Sequence, residues 1–254
     1  MNPNLRPDGP PPLVGLPALE RSPKMAKIRD YGQCAVCGIS GKVTLEHVPP
    51  RSCFPKPRPK PLPIYTCQTC NGDSSTEDEH LKTFLGATAT NYSPKGKALK
   101  EGFIKTITHN KKLLRKILSG KLTDQVYDEH GRLKPDVVNL TWDMRSMIPL
   151  WNKMARCLYF HVYQEVLPQD VVMDPPILQK VATLDQRMVH LMQKDSVGND
   201  SEFTFGLMRA VEGQRIRFHC QMLFWDRIRV DASGETKTGE QAAPEQPLPA
   251  AQFR

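Results

Sequence analysis

Residues Cys34–Leu85 read CAVCGISGKVTLEHVPPRSCFPKPRPKPLPIYTCQTCNGDSSTEDEHLKTFL, and the rest of the chain is organised around them. The stretch holds two Cys-x-x-Cys pairs, Cys34/Cys37 and Cys67/Cys70, with 29 residues between Cys37 and Cys67. Two such knuckles across a gap of this size have the spacing of a four-thiolate metal site. Zn2+ is the expected ion, and an iron centre on the same ligands is the alternative. Four thiolates fill a tetrahedron and leave no open position, so this metal is expected to be structural. The segment between the knuckles has few apolar residues of its own. Structural zinc contributes on the order of 10–16 kcal/mol in small zinc peptides, enough to fold such a segment. Gly38 supplies the tight turn after the first pair. Cys53 falls in the proline-rich loop and reads as a spare thiol.

The other chemistry lies between and after the knuckles. Lys42–Leu45 is a short strand by its β-branched content. Glu46 and His47 end it, and Val48-Pro49-Pro50 prevent its continuation. Leu62–Thr66 is a second strand feeding Cys67. A helix follows, with Ser74/Glu77 and Thr76/Glu79 at capping-box spacing and Leu81, Phe84 and Leu85 on its inward face. A metal that ties the first strand to this helix brings Glu46 and His47 towards Asn71. A carboxylate and an amide oxygen are hard ligands suited to Mg2+ or Mn2+. A neutral histidine beside them is a general base near neutral pH. Together with a basic surface, these are the parts needed to hydrolyse a phosphodiester. The plainer reading of Glu46-His47 is a strand-end pair that orients a turn.

Cys34-x-x-Cys37, Glu46-His47-Val48-x-Pro50 and Cys67-x-x-Cys70-Asn71 together resemble the HNH endonuclease family, in its four-cysteine ββα-metal (treble-clef-like) members. The resemblance covers about 50 residues, a fifth of the chain. It implies a small zinc-stabilised ββα-metal module in which His47 is the general base. Glu46 and Asn71 would hold one catalytic divalent ion, Mg2+ or Mn2+, while Cys34, Cys37, Cys67 and Cys70 hold the structural zinc. The helix after Cys70 would lie against the groove of duplex DNA. The sequence departs from the family pattern at three places. Glu46 stands where aspartate is usual, and its extra methylene displaces the carboxylate. No Asn or His lies between His47 and Asn71 to brace the loop. Ser75 occupies a place where some members have a third ligand.

Composition fits a nucleic-acid partner. The 254 residues carry a formal net charge of +8 and an isoelectric point near 9.1, which favours an anionic partner or, more simply, solubility. No run approaches the roughly 20 apolar residues needed for a membrane span, so no membrane association is expected. The N-terminus lacks an apolar signal core, and the paired cysteines suit a reducing compartment, so a cytoplasmic protein is expected. Arg51, Lys56, Arg58 and Lys60 sit in a proline-stiffened loop, read either as a phosphate-contacting arm or as a solvated loop. Lys95–Lys121 has nine Lys or Arg and one acid, Glu101. It reads as an amphipathic helix or helix pair whose outer cations, including Lys111, Lys112, Arg115 and Lys116, contact DNA or simply face water.

The expected architecture is α+β. A disordered proline-rich tail (1–27) precedes the zinc module (28–92) and the basic helical segment (93–122). An accessory α+β domain with an antiparallel sheet (123–232) and a disordered tail (233–254) complete the chain. Within the accessory domain, 125–143 reads as a hairpin, 144–166 as the core helix and 177–194 as a second helix. Strands are expected over 202–211, 215–223 and 226–230. Cys157 and His161 read as a core thiol beside a hydrogen-bonded histidine. His80, His109 and His130 read as surface or packing residues. The leading functional expectation is a metal-dependent DNA endonuclease, and the alternative is a catalytically inactive zinc-stabilised nucleic-acid-binding module. One such centre cuts one strand at a time, so double-strand cleavage implies a homodimer or sequential nicking.

Overall fold

The computed structural model describes residues 28–60, 62, 64–72, 75–88, 94–119, 144–180, 183–185, 188–198, 202–225 and 227–236. The expected N-terminal tail, the hairpin over 125–143 and the last 18 residues lie outside them. The fold is α+β, with two antiparallel sheets.

The smaller sheet has the order β1 (Ile28–Gln33), β2 (Ser40–Glu46), β3 (Ile64–Cys67). Sequence reasoning missed β1, which pairs antiparallel with β2 and lays the Arg29 guanidinium over the Tyr65 ring at 4.0 Å. β2 and β3 pair with Glu46 opposite Ile64, Thr44 opposite Thr66 and Val43 opposite Cys67. The chain then enters α1 (Gln68–Gly72) and α2 (Ser75–Thr88). The basic segment is a helix pair, α3 (Pro94–His109) and α4 (Lys111–Ser119). α3 crosses α2 closely at Gly86, where a Cβ would lie 2.7 Å from Phe103 Cβ.

The larger sheet has the order β4 (Val171–Met173), β9 (Ile228–Thr236), β8 (Arg215–Phe224), β7 (Phe203–Glu212), β6 (Gln193–Val197), and β5 (Ile177–Lys180) also pairs with β9. β7 and β8 form a long hairpin turned at Gly213, whose φ of 61° suits glycine. Alternate residues put Phe203, Phe205 and Leu207 of β7 and Phe218, Cys220, Met222 and Phe224 of β8 on one buried face, with Ile228, Val230 and Ala232 of β9. α5 (Ile148–Tyr163) packs on that face. Trp151 meets Phe224 edge-on at 5.9 Å, and Tyr159 meets Phe218 at 6.0 Å.

α5 is apolar nearly all round because it is buried on more than one side. It touches β7 and β9 of the large sheet and β3 of the small one. A single cluster of buried residues runs from Ala35, Val48, Ile64, Leu81 and Phe84 through Trp151 and Leu158 to Phe205 and Val230. The first knuckle is fastened to the segment after α5: Gln169 Nε2 donates to the Val36 carbonyl at 2.8 Å.

Three expectations fail here. Residues 177–194 are not a helix, because Ile177–Lys180 pairs with β9 and Gln193–Val197 with β7. Apolar residues at helical spacing are overruled there by partners distant in sequence. Consequently α5 alone, among the described residues, supplies a helical layer on the large sheet. The chain does not leave the fold at 232: β9 runs to Thr236, with Val171 opposite Thr236 and Phe218 opposite Gly234. That stretch looks like a tail because its residues are small and polar, yet a Cβ at Gly234 would fall 2.6 Å from the Val172 carbonyl oxygen. Finally, Cys53 is not a loop thiol but is fully buried in a short 3-10 helix (Arg51–Cys53), and its burial pushes the thiol pKa well up.

Candidate active site and metal centre

The four cysteines come together as their spacing predicts. The first pair lies in the turn after β1, where Gly38 has φ 77° and its N–H bonds the Cys34 carbonyl at 2.9 Å. The second pair straddles the end of β3 and the start of α1. All four sulfurs lie within 4.8 Å of one another, and Cys37 Sγ and Cys67 Sγ are 3.8 Å apart. Thiolates about 2.3 Å from a tetrahedral Zn2+ are separated by roughly 3.8 Å, so the site fits such an ion. Burial pushes the Cys34 thiol up, but the backbone N–H groups of Cys37, Cys67 and Val36 outweigh it and bring the pKa down to about 7. Cys70 is driven the other way, by burial and then by the neighbouring sulfurs. Four thiolates this close together suit a cation.

β2 carries the next group. Thr44 and Glu46 are two residues apart and point to the same face of the strand. Asn71 in α1 reaches that face: its Nδ2 donates to Thr44 Oγ1 at 2.6 Å, which turns the amide oxygen away from the threonine. Glu46 is buried at 7 % exposure. Its Oε1 accepts from the His47 backbone N–H at 3.1 Å. Its Oε2 takes no well-angled hydrogen bond and is instead in ionic contact with Lys153 Nζ at 2.7 Å. His47 is half-buried. Burial and then the charge of Arg51 hold its imidazole below the usual histidine pKa, so it is neutral near pH 7.

Three residues here escaped sequence reasoning. Lys153 comes from the middle of α5, and its only sequence signal is a cation interrupting an apolar helix. Asp78, with Glu77, sits in the first turn of α2, where the sequence suggests only a helix-dipole partner. Burial raises the Asp78 carboxyl to about 6; Lys153 opposes this, while Glu46 and Glu77 add to it. The buried Glu46 and the half-buried Glu77, Asp78 and Lys153 are thus electrostatically linked.

Comparison with protein-family models, curated proteins and solved structures found no match.

The remaining expected residues lie outside this cluster. Arg51, Lys56, Arg58 and Lys60 sit on the loop between β2 and β3, with Arg58 Nε bonded to the Phe54 carbonyl at 3.3 Å. Lys111, Lys112 and Arg115 are exposed on α4, while the side chain of Lys116 lies outside the described residues. An open groove of about 570 Å3 between α2 and the α3–α4 pair is lined by Lys82, Lys105, His109 and Lys111, with Glu79 and Asn110. One cation of this segment is already paired: Lys95 with the buried Glu202. Cys157 is fully buried, and His161 bonds Asp195 at 3.1 Å. His80 is a packing residue, with Nδ1 3.5 Å from Ser146 Oγ. His109 is exposed, its Nδ1 2.7 Å from the Lys105 carbonyl oxygen. Among the described residues, no helix is long and apolar enough to cross a membrane.

Proposed function

We propose that the chain is a metal-dependent DNA endonuclease of the HNH type, built on a ββα-metal module. The observation that carries this reading is the Asn71–Thr44 hydrogen bond, which sets the amide beside the strand face bearing Glu46, one residue before His47. A buried carboxylate and an amide oxygen turned away from Thr44 are a donor set that fits a hard divalent ion, Mg2+ or Mn2+. Glu46 and Asn71 would hold that ion, which when bound would supply Lewis-acid stabilisation of the charge developing on a phosphodiester.

The chain's own groups do the rest. His47 Nδ1 or Nε2, neutral at working pH, accepts the proton of the attacking water. Arg51, close enough to depress the His47 pKa, also disfavours the imidazolium and so keeps the base ready. Arg51, Lys56, Arg58 and Lys60, with the cations of α3 and α4, attract the phosphate backbone without reading sequence. The four-cysteine zinc fixes the hairpin end against α1 and takes no part in the chemistry.

One observation favours a second reading. Glu46 is already neutralised by Lys153, as suits a zinc-stabilised nucleic-acid-binding module that does not cut. Conversion of supercoiled plasmid to open circles separates the two. The nuclease reading expects nicking with added Mg2+ or Mn2+, abolished by EDTA under conditions that leave the zinc bound. Salt-dependent binding of the plasmid without nicking under any of these conditions would establish the binding module instead.

A further inference from the structure

Lys153 is an unusual residue for its place. Its neighbours on α5, Trp151, Met154, Ala155 and Cys157, are buried. The side chains of Lys153 and Glu46 are 11 % and 10 % exposed. An apolar residue of similar volume would cost less desolvation there, and buried ion pairs contribute little net stability. The pair is therefore better explained by what it does at Glu46 than by what it adds to the fold.

The surrounding charge points the same way. Glu46, Glu77 and Lys153 all act electrostatically on Asp78, and the Lys153 ammonium pairs with Glu46. Among these four groups the carboxylates outnumber the ammonium. Glu77 Oε2 and Asp78 Oδ1 are buried and take no hydrogen bond. The cluster thus suits a divalent cation in charge and in donor type. Yet among the described residues only the four cysteines have donor atoms already gathered as an ion needs them. Beside Glu46 stands Lys153 Nζ instead.

We propose that Lys153 is a positioning residue that takes the place of the divalent ion at Glu46. Its ammonium holds and neutralises the carboxylate until an ion loads, and loading moves Nζ off Oε2. This rests on the ion site proposed at Glu46. It makes α5 part of the site and couples ion loading to the core of the large sheet.

The test uses the full-length zinc-loaded protein. Lysines are acetylated with a limiting amine-reactive ester, with and without Mn2+, and each site is quantified by peptide mass spectrometry. Labelling of Lys153 is expected to rise several-fold with Mn2+, while exposed lysines such as Lys111 stay constant. Stabilisation against heat by Mn2+ is followed in parallel. Lys153→Met is expected to lower the Mn2+ concentration giving half of that stabilisation by about tenfold, equivalent to ~1.4 kcal/mol of competition. A Glu46→Gln change made in the Lys153→Met protein is expected to remove the Mn2+ effect.

Unchanged Lys153 labelling at Mn2+ concentrations that stabilise the wild type would overturn the proposal. So would Mn2+ stabilisation of neither protein. If Lys153→Met does not fold, the wild-type labelling decides alone. Nicking by the wild type with Lys153 still shielded would sink this inference and leave the nuclease reading standing. Mn2+-dependent exposure of Lys153 without nicking would do the reverse.

Discussion

Thr44 shows how one hydroxyl can organise a site. It accepts from the Asn71 amide and stands two residues from Glu46 on the same strand face. Thr44→Val keeps the β-branched shape and removes the acceptor for Asn71, along with the hydroxyl's longer 3.4 Å bond to the Thr66 carbonyl. On the proposed reading, plasmid nicking falls roughly 10–100-fold, the usual cost of losing a group that orients a ligand, while thermal stability changes little. Titrating nicking against Mn2+ checks this. A second residue-scale expectation concerns Asp231 in the large sheet. Burial raises its pKa, but the approach of His219 Nε2 to 3.5 Å, the charge and bond of Arg229 and the bond from Gln221 outweigh burial and leave it below the usual carboxylate value. Such a group stabilises the fold above its unfolded pKa of about 3.9 and loses that contribution as pH falls through the folded value. Asp231→Asn should therefore lower stability at neutral pH and flatten the acid limb below about pH 4, as read from urea unfolding at a series of pH values. At this scale the cysteines were legible because their spacing is a local signal. Lys153 and Asp78 were not, because a residue 107 positions after Glu46 reveals its partner only once α5 has packed.

The elements differ in how openly the sequence declares them. β2, β3, α2, the α3–α4 pair and α5 each have a local cause: β-branched runs, acids in a first turn, or apolar residues at helical spacing. Those that sequence reasoning missed are defined by partners instead. β1 exists through β2, and β5 through β9. The end of β9 is held by β4 and by the Ile216 N–H, which donates to Thr236 Oγ1 at 3.1 Å. Whether α4 meets nucleic acid is a question for the element as a whole. If Lys111, Lys112 and Arg115 neutralise phosphates, changing all three to Glu weakens DNA binding. It also reduces the slope of log affinity against log salt by about 0.9 for each phosphate no longer neutralised. An unchanged slope, measured by fluorescence anisotropy, would mark α4 as a solvated face.

Among the described residues, one apolar cluster joins the four-cysteine region to the large sheet through α5. Removing the cation from the four cysteines should therefore loosen more than the knuckles. Chelation is expected to lower the unfolding temperature in a single transition and to shift tryptophan emission, since Trp151 lies in the shared core. Two separate transitions, the later one unmoved, would mean that the hairpin and the sheet fold independently. The same continuity gives the proposed chemistry a rigid base: a zinc on the four cysteines would fix one side of Glu46-His47, and α5 the other. The claim that depends most on this arrangement is that His47 acts as a base. The direct measurement is the single-turnover rate of plasmid nicking by His47→Ala beside wild type, each shown first to hold one zinc. A loss of about 10²–10⁴-fold, with DNA binding and unfolding temperature unchanged, is the result expected of a general base. Equal rates in the two proteins would contradict it.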